Sequence, residues 1–194
     1  MTRFSILPRG APPQGRSLAG LLLAVLAATC GGDAVPADRT GAAQEDTASP
    51  VIRVGENDRV MLEIVAGKTP ENSYWNLNGL HGGEGKIRVP LGAEVEVDFR
   101  NDDPAMTHSL GITRWADPFP ADFAPIEPAF PGAMLNEVGS HVGGLPPEGR
   151  SVFRFRASEE GRYAVVCFVP GHAAVGMFIP FEVVEGLAEA TVER

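Results

Sequence analysis

The chain has few side chains that can form cross-links or bind transition metals. It contains two cysteines and four histidines among 194 residues. The two cysteines are Cys30 and Cys167, and Cys30 directly follows an apolar N-terminal run, so we expect no internal disulfide. No arrangement of serine, histidine and aspartate indicates a nucleophilic enzyme. Any metal site must therefore be assembled from very few candidates.

The chain also lacks an apolar run of the roughly 20 residues that a membrane-spanning helix needs. Its strongest candidate, residues 18–29, is a shorter run that three arginines precede, with no acidic residue before it. Such a run after a basic segment is typical of a secretory signal peptide. We expect residues 1–29 to be a signal peptide that is removed on export.

Cys30 lies at the end of this signal segment. The preceding residues 26–29, Leu-Ala-Ala-Thr, resemble a bacterial lipoprotein box, although the leucine is one position early and Thr29 replaces the usual Gly or Ala. We expect lipidation of Cys30, which would anchor the protein to a membrane without spanning it. A soluble secreted form that is cut nearby is the alternative. Residues 30–55, rich in Ala, Gly, Asp and Thr, are predicted to form a flexible tether.

Basic residues are in deficit, with 16 Lys and Arg against 25 Asp and Glu and a formal net charge of -9. Without the three arginines of residues 1–29, which contain no acid, the remaining chain carries -12. This charge disfavours nucleic acid as a partner, and we expect none, because binding phosphates requires a basic face. The acidity predicts attraction to a basic patch on a protein partner. It is equally compatible with a role in solubility alone.

No long segment has a sustained helical period, and short runs instead alternate apolar with polar residues. Gly, Pro and Asp separate these runs, which indicates an all-β protein built as a two-sheet β-sandwich. We assign this domain to residues 56–186 and a C-terminal tail to residues 187–194. The predicted strands cover residues 60–65, 86–89, 94–99, 108–112, 151–156, 162–168 and 177–184.

Three candidate metal ligands share one short loop. Cys167, His172 and Met177 are separated by four residues each, and a further imidazole, His108, lies far upstream. Thiolate, two imidazoles and a weak thioether form the ligand set of blue-copper electron-transfer sites. Taken singly, the cysteine would be a buried small hydrophobe, the histidine a strand residue and the methionine core filler. Their shared spacing favours the copper site.

A site with these four ligands predicts an electron carrier. Three strong ligands and one weak one are acceptable to both Cu(II) and Cu(I). No open position remains for a substrate, unlike in a catalytic metal site. The alternatives are a copper-dependent oxidoreductase domain or a copper storage or delivery protein. An enzyme would need further copper ligands, and His81 and His141 are the remaining histidines.

The loop from Tyr163 to Phe178 resembles the metal loop of the cupredoxins, in particular of rusticyanins and sulfocyanins. The Val-Pro-Gly-His-Ala sequence of residues 169–173 carries the resemblance. Residues 75–79, Trp-Asn-Leu-Asn-Gly, resemble the Phe-Asn-Phe-Asn-Gly signature of sulfocyanins, with Trp75 and Leu77 in place of the two aromatic residues. Residues 87–92 and 108–110 extend the likeness.

This resemblance implies a cupredoxin-like Greek-key sandwich that is monomeric and binds one type 1 copper through His108, Cys167, His172 and Met177. It implies transient exchange with redox proteins such as cytochromes or a terminal oxidase, at the periplasmic or cell-envelope face. It also implies that an edge of His172 approaches solvent among small apolar neighbours such as Ala174.

Residues 114–150 form the least familiar segment, with seven prolines and the aromatic residues Trp115, Phe119, Phe123 and Phe130. We interpret it as a Pro-rich insertion or long crossover within the sandwich. It could be a lid that keeps water from the copper site, or a flap that covers a sheet edge. Met134 and His141 lie in it, but their spacing does not support a second metal site.

Overall fold

A computed structural model describes residues 51–54, 59–136 and 143–193. The signal peptide, Cys30, most of the tether and His141 lie outside the described residues. The described part contains nine strands. They are β1 (Val51–Val54), β2 (Val60–Ala66), β3 (Lys86–Pro90), β4 (Glu94–Asn101), β5 (Gly111–Arg114), β6 (Arg150–Arg156), β7 (Gly161–Val166), β8 (Phe178–Val184) and β9 (Thr191–Glu193).

The first sheet has the strand order β1-β2-β4-β6. β2 and β4 run parallel, with Val60 opposite Val95, and β4 and β6 run antiparallel. Buried and exposed residues alternate along β4 and β6 because successive side chains point to opposite faces of a sheet. One face therefore supplies Val95, Val97 and Phe99 to the core.

The other face of this sheet carries pairs of opposite charges between β4 and β6. Glu94 pairs with Arg156 at 3.3 Å and Glu96 with Arg154 at 2.7 Å. Exposed pairs of this kind each contribute only about 0–1 kcal/mol to stability. Several acidic residues of the chain are thus neutralised on this face.

The second sheet has the order β5-β7-β8-β3-β9, with β8 between β7 and β3. β7 and β8 run antiparallel and are buried for most of their length, whereas β8 and β3 run parallel. Their apolar side chains pack with those of the first sheet in one hydrophobic core. A strand that is covered on both faces has a continuous apolar run. This explains why the sequence of β7 is apolar along most of its length, whereas that of β4 alternates.

The predicted all-β, two-sheet architecture is confirmed, and helical structure in residues 59–135 and 143–193 is limited to a 3-10 turn at Glu71–Tyr74. No helix in those ranges has the length and apolarity to cross a membrane. β1 falls within the segment predicted as a tether and β9 within the predicted tail. Each is a short edge strand, paired antiparallel with β2 or β3.

Much of the Pro-rich segment packs along β5, which is an edge strand of the second sheet. The backbone N–H of Ala129 donates to the carbonyl of Ile112 at 2.7 Å, and Ile112 N–H donates to Ala133 at 2.8 Å. Phe119 and Phe130 are buried in the core. These contacts agree with a flap that covers a sheet edge. Whether the segment is an insertion stays a prediction.

Candidate metal centre

The candidate ligands lie at one end of the second sheet. His108 precedes β5, Cys167 follows β7, and Met177 precedes β8, with His172 in the loop between β7 and β8. β5, β7 and β8 are antiparallel neighbours in that order. The start of β5, the end of β7 and the start of β8 therefore lie at the same end of the sheet. The predicted strand at 108–112 begins only at Gly111, which leaves His108 in the loop with a bridge to Leu145.

The structure brings three of the predicted ligands into one cluster. The Sγ atom of Cys167 lies 3.5 Å from Nδ1 of His172 and 3.8 Å from Nδ1 of His108. One donor atom from each residue lies within 4.8 Å of the other two, and all three residues are buried. Such a spacing of soft sulfur and imidazole nitrogen suits a small transition-metal ion.

The Cys167 sulfur is held by its neighbours. The Ser109 N–H donates to it at 3.4 Å, while the Ser109 hydroxyl lies 3.7 Å away and accepts a hydrogen bond from the Phe168 N–H at 2.8 Å. Burial raises the pKa of the Cys167 thiol, although the Ser109 and Val169 N–H groups act against this rise. A bound cation would instead lower the pKa of this thiol, because metal coordination removes the thiol proton.

Met177 lies at the end of the same loop and is fully buried. Its N–H donates to the His172 carbonyl at 2.9 Å, and its own carbonyl accepts from the Cys167 N–H at 3.2 Å. Gly176 precedes it with φ +104, and a Cβ there would come within 2.9 Å of the Gly82 nitrogen. Only glycine suits this tight closure, which places Met177 beside Cys167 and His172.

A buried carboxylate stands behind His108. Oδ2 of Asp103 lies 2.8 Å from Nε2 of His108, and the two side chains are 2% and 0% exposed. Burial lowers the pKa of His108, although Asp103 acts to raise it. Burial also tends to raise the pKa of Asp103, but hydrogen bonds from His108, Ala105 and Met106 hold it below its usual value. No motif or spacing in the sequence had singled out Asp103.

Trp75 covers the second histidine. Its ring stacks on His172 with centroids 4.3 Å apart and planes inclined by 21°. His172 is only 2% exposed, so the expectation that its edge approaches solvent is wrong. Burial and the neighbouring His108 lower the pKa of His172 to about 4. Partly exposed Trp75 and exposed Ala174 and Val175 form the nearby surface.

The Pro-rich segment also contacts the metal loop. The Gly171 N–H donates to the Ala121 carbonyl at 2.6 Å, and Phe123 packs edge-on against Phe168 with ring centroids 5.0 Å apart. The segment therefore packs beside Cys167 as well as along β5. Within the described ranges, His108, Cys167 and His172 form the one cluster of His, Cys, Asp and Glu side chains that could hold a metal ion, and His81 is not part of it.

A two-sheet β fold with one cysteine and two histidines buried at one end defines the class of single-copper cupredoxins. The set of His108, Cys167, His172 and Met177 fits one type 1 copper ion. Within this class the chain belongs to the sulfocyanin family, because residues 47–190 match the family model of the sulfocyanin (SoxE) domain. The resemblance to sulfocyanins and rusticyanins is thereby confirmed.

The chain is also similar to individual proteins over part of its length. Rusticyanin of Acidithiobacillus ferrooxidans is 37% identical over 95 residues, which cover 47% of this chain and 56% of that protein. Sulfocyanin of Sulfolobus acidocaldarius is 28% identical over 127 residues, or 63% and 62% of the two chains. A solved rusticyanin structure from Thiobacillus ferrooxidans has a TM-score of 0.44 at 26% identity and covers 73% of this chain and 88% of that one. The chain spans about half the length of the rusticyanins it matches.

Proposed function

We propose that the protein is a one-electron carrier whose single type 1 copper is held by His108, Cys167, His172 and Met177. The observation that carries this proposal is the buried convergence of the Cys167 sulfur with the two Nδ1 atoms, at 3.8 and 3.5 Å. When bound, copper supplies reversible one-electron chemistry between Cu(II) and Cu(I). The protein supplies the fixed ligands and the dry surroundings.

Rigidity of the ligand loop supports a carrier. The Ser109 hydrogen bonds hold the Cys167 sulfur, Asp103 holds His108, and Trp75 packs on His172. The donors of Cys167, His108 and His172 are therefore each fixed by a contact that does not depend on the metal. Little rearrangement is then needed between the two oxidation states, which favours fast electron exchange.

The burial of the site argues against an enzyme. A catalytic metal keeps a coordination position that substrate or water can reach. Here the three clustered residues are buried, and Trp75 stacks on the ring of His172. The described residues hold a single cluster of metal-binding side chains, whereas copper oxidases and nitrite reductases generally need further histidine-bound copper.

We place the carrier at the periplasmic or cell-envelope face, exported by residues 1–29 and anchored by lipid on Cys30. Residues beyond Cys30 carry a net charge of -12, which favours a basic partner surface. Its partners would be redox proteins such as cytochromes or a terminal oxidase, met by a monomer in weak encounters of less than about 1,200 Å². Trp75, Ala174 and Val175 form the surface nearest His172, and we propose that electrons pass there.

A redox titration tests the function. The copper-loaded protein should be reduced and reoxidised over many cycles with one electron per chain, while Cys167→Ser should bind copper weakly and show no such cycle. The control is Ser151→Ala, a change of one small polar side chain on β6 of the first sheet, outside the metal loop. More than one redox-active copper per chain, or consumption of a substrate during cycling, would overturn the proposal.

A further inference from the structure

Asp103 is a buried acidic residue in direct contact with a candidate metal ligand. Its Oδ2 lies 2.8 Å from the Nε2 of His108, whose Nδ1 lies on the other side of the ring and faces Cys167. Among the ion pairs of residues 59–136 and 143–193, Asp103 pairs with His108 alone. The neighbouring acid, Asp102, is instead exposed and paired with Arg100 at 2.6 Å.

The surrounding backbone holds the Asp103 carboxylate in place. Its Oδ1 accepts hydrogen bonds from the N–H groups of Ala105 at 2.8 Å and Met106 at 2.9 Å. The Asp103 N–H donates to Oδ1 of Asn101 at 3.0 Å. Both carboxylate oxygens are therefore used as acceptors, which suits an ionised carboxylate that has no proton to donate.

The backbone around Asp103 is closely packed. Gly67 has φ +64, and a Cβ at Gly67 would come within 2.7 Å of the backbone and Cβ of Asp103. Asn101 is fully buried, and its Nδ2 donates to the carbonyls of Met106 at 2.8 Å and Leu145 at 2.9 Å. The loop that carries Asp103 is thus fixed from both sides.

We propose that Asp103 is a positioning residue of the metal centre, which holds the Nε2–H of His108 so that Nδ1 faces the metal, and whose negative charge stabilises the oxidised ion. The proposal rests on the proposed one-electron function. A carboxylate that accepts the second N–H of a metal-bound histidine fixes its tautomer and ring orientation and makes it a stronger ligand. A fixed negative charge favours Cu(II) over Cu(I), because the oxidised ion carries the larger positive charge.

The first test needs no metal. In the metal-free wild-type protein, nitrogen-15 NMR of the histidine side chains should show His108 protonated at Nε2 and unprotonated at Nδ1. A proton on Nδ1 would overturn the proposal, because that tautomer cannot bind a metal through Nδ1. This test uses the native chain and does not depend on whether a variant folds.

The second test compares two variants that each remove one negative charge. Asp103→Asn should raise the reduction potential of the copper-loaded protein by about 59 mV, a tenfold loss of preference for Cu(II). It should also weaken Cu(II) binding by about 10–100-fold. Asp102→Asn is the matched control, because the same charge is lost one residue away at an exposed, screened position, and it should leave the potential nearly unchanged.

The outcomes separate this proposal from the function on which it rests. If the wild-type protein cycles one electron but Asp103→Asn has an unchanged potential, or Asp102→Asn shifts it equally, the role of Asp103 is wrong and the function stands. If the wild-type protein holds no redox-active copper, the proposed function is wrong and this role goes with it.

Discussion

The indole ring of Trp75 stacks on the imidazole of His172, with ring centroids 4.3 Å apart. Trp75 directly follows the turn Glu71–Tyr74, in which Asn72 and Ser73 adopt left-handed φ values of 48 and 58. The Asn72 amide bonds the Trp75 carbonyl at 2.7 Å and the Val175 carbonyl at 3.2 Å. This turn therefore fastens Trp75 to the metal loop and keeps His172 from solvent.

Replacing Trp75 should destabilise the metal-free protein and expose His172. Trp75→Ala should lower the free energy of unfolding by about 2 kcal/mol, since it removes a partly buried aromatic ring and its stacking. Trp75→Phe should retain most of the stacking and lose less. Urea unfolding measures both variants, and equal losses in the two would contradict a contribution from stacking.

Replacing Met177 should lower the reduction potential if it is the weak axial ligand. Met177→Gln offers an oxygen donor that favours Cu(II) more than a thioether does. We expect a decrease of at least about 59 mV, which is a tenfold change in relative affinity. Voltammetry measures it, with Met106→Gln as the control because Met106 is 41% exposed. An equal or higher potential in Met177→Gln would refute the axial assignment.

A charge at Ala174 should slow electron exchange without changing the colour. Ala174 is exposed in the metal loop, next to Val175, which is 51% exposed. Ala174→Glu should reduce the rate of exchange with a redox partner about tenfold, because it disturbs the proposed contact surface. Leu91→Glu is the control, because it introduces the same charge far from the metal loop. The Leu91 N–H donates a hydrogen bond to the carbonyl of Val184, at the other end of β8. Stopped-flow kinetics that match the wild type in Ala174→Glu would count against this surface.

Acid should destabilise the metal-free protein over a defined range. The pKa of His172 is about 4 in the folded protein, below the ordinary 6.5, because of burial and His108. The unfolded chain then binds more protons than the folded one between these values, so stability falls as the pH falls through that window. The lowered pKa of His108 acts in the same direction.

We expect His172 to account for a loss of about 3 kcal/mol of unfolding free energy between about pH 7 and about pH 4. Urea unfolding of the metal-free protein at several pH values measures this loss. His172→Gln should remove the His172 share of the pH dependence. A wild-type stability that does not change over this range would contradict the burial of a neutral His172.

The ligand loop could be predicted from the sequence because Cys167, His172 and Met177 are local to one another. The spacing of these three residues is the pattern that indicates a copper loop. His108 was added as the fourth ligand because the site needs a second imidazole. Asp103 and Trp75 could not be assigned a role in this way. Asp103 reaches His108 through a tight turn, and Trp75 reaches His172 only through the tertiary fold.

The strands could likewise be predicted where a local sequence pattern marks them. Long alternating runs such as β4 and β6 were predicted because one face of each is buried along its length. The short strand β9 was not predicted, since it depends on pairing with β3, which is remote in sequence. β1 was not predicted either, because the composition of residues 30–55 indicated a flexible tether. The start of β5 was predicted too early, because His108 is buried as a core strand residue would be but lies in the loop before Gly111.

The visible spectrum of the copper-loaded protein tests the central claim most directly. One copper per chain should give an intense absorption in the red, from charge transfer between the Cys167 thiolate and Cu(II). This absorption should vanish on reduction and be absent from Cys167→Ser at equal copper loading. Stoichiometric copper binding without that absorption in the wild-type protein would contradict the assignment of Cys167 as a ligand and the electron-carrier function with it.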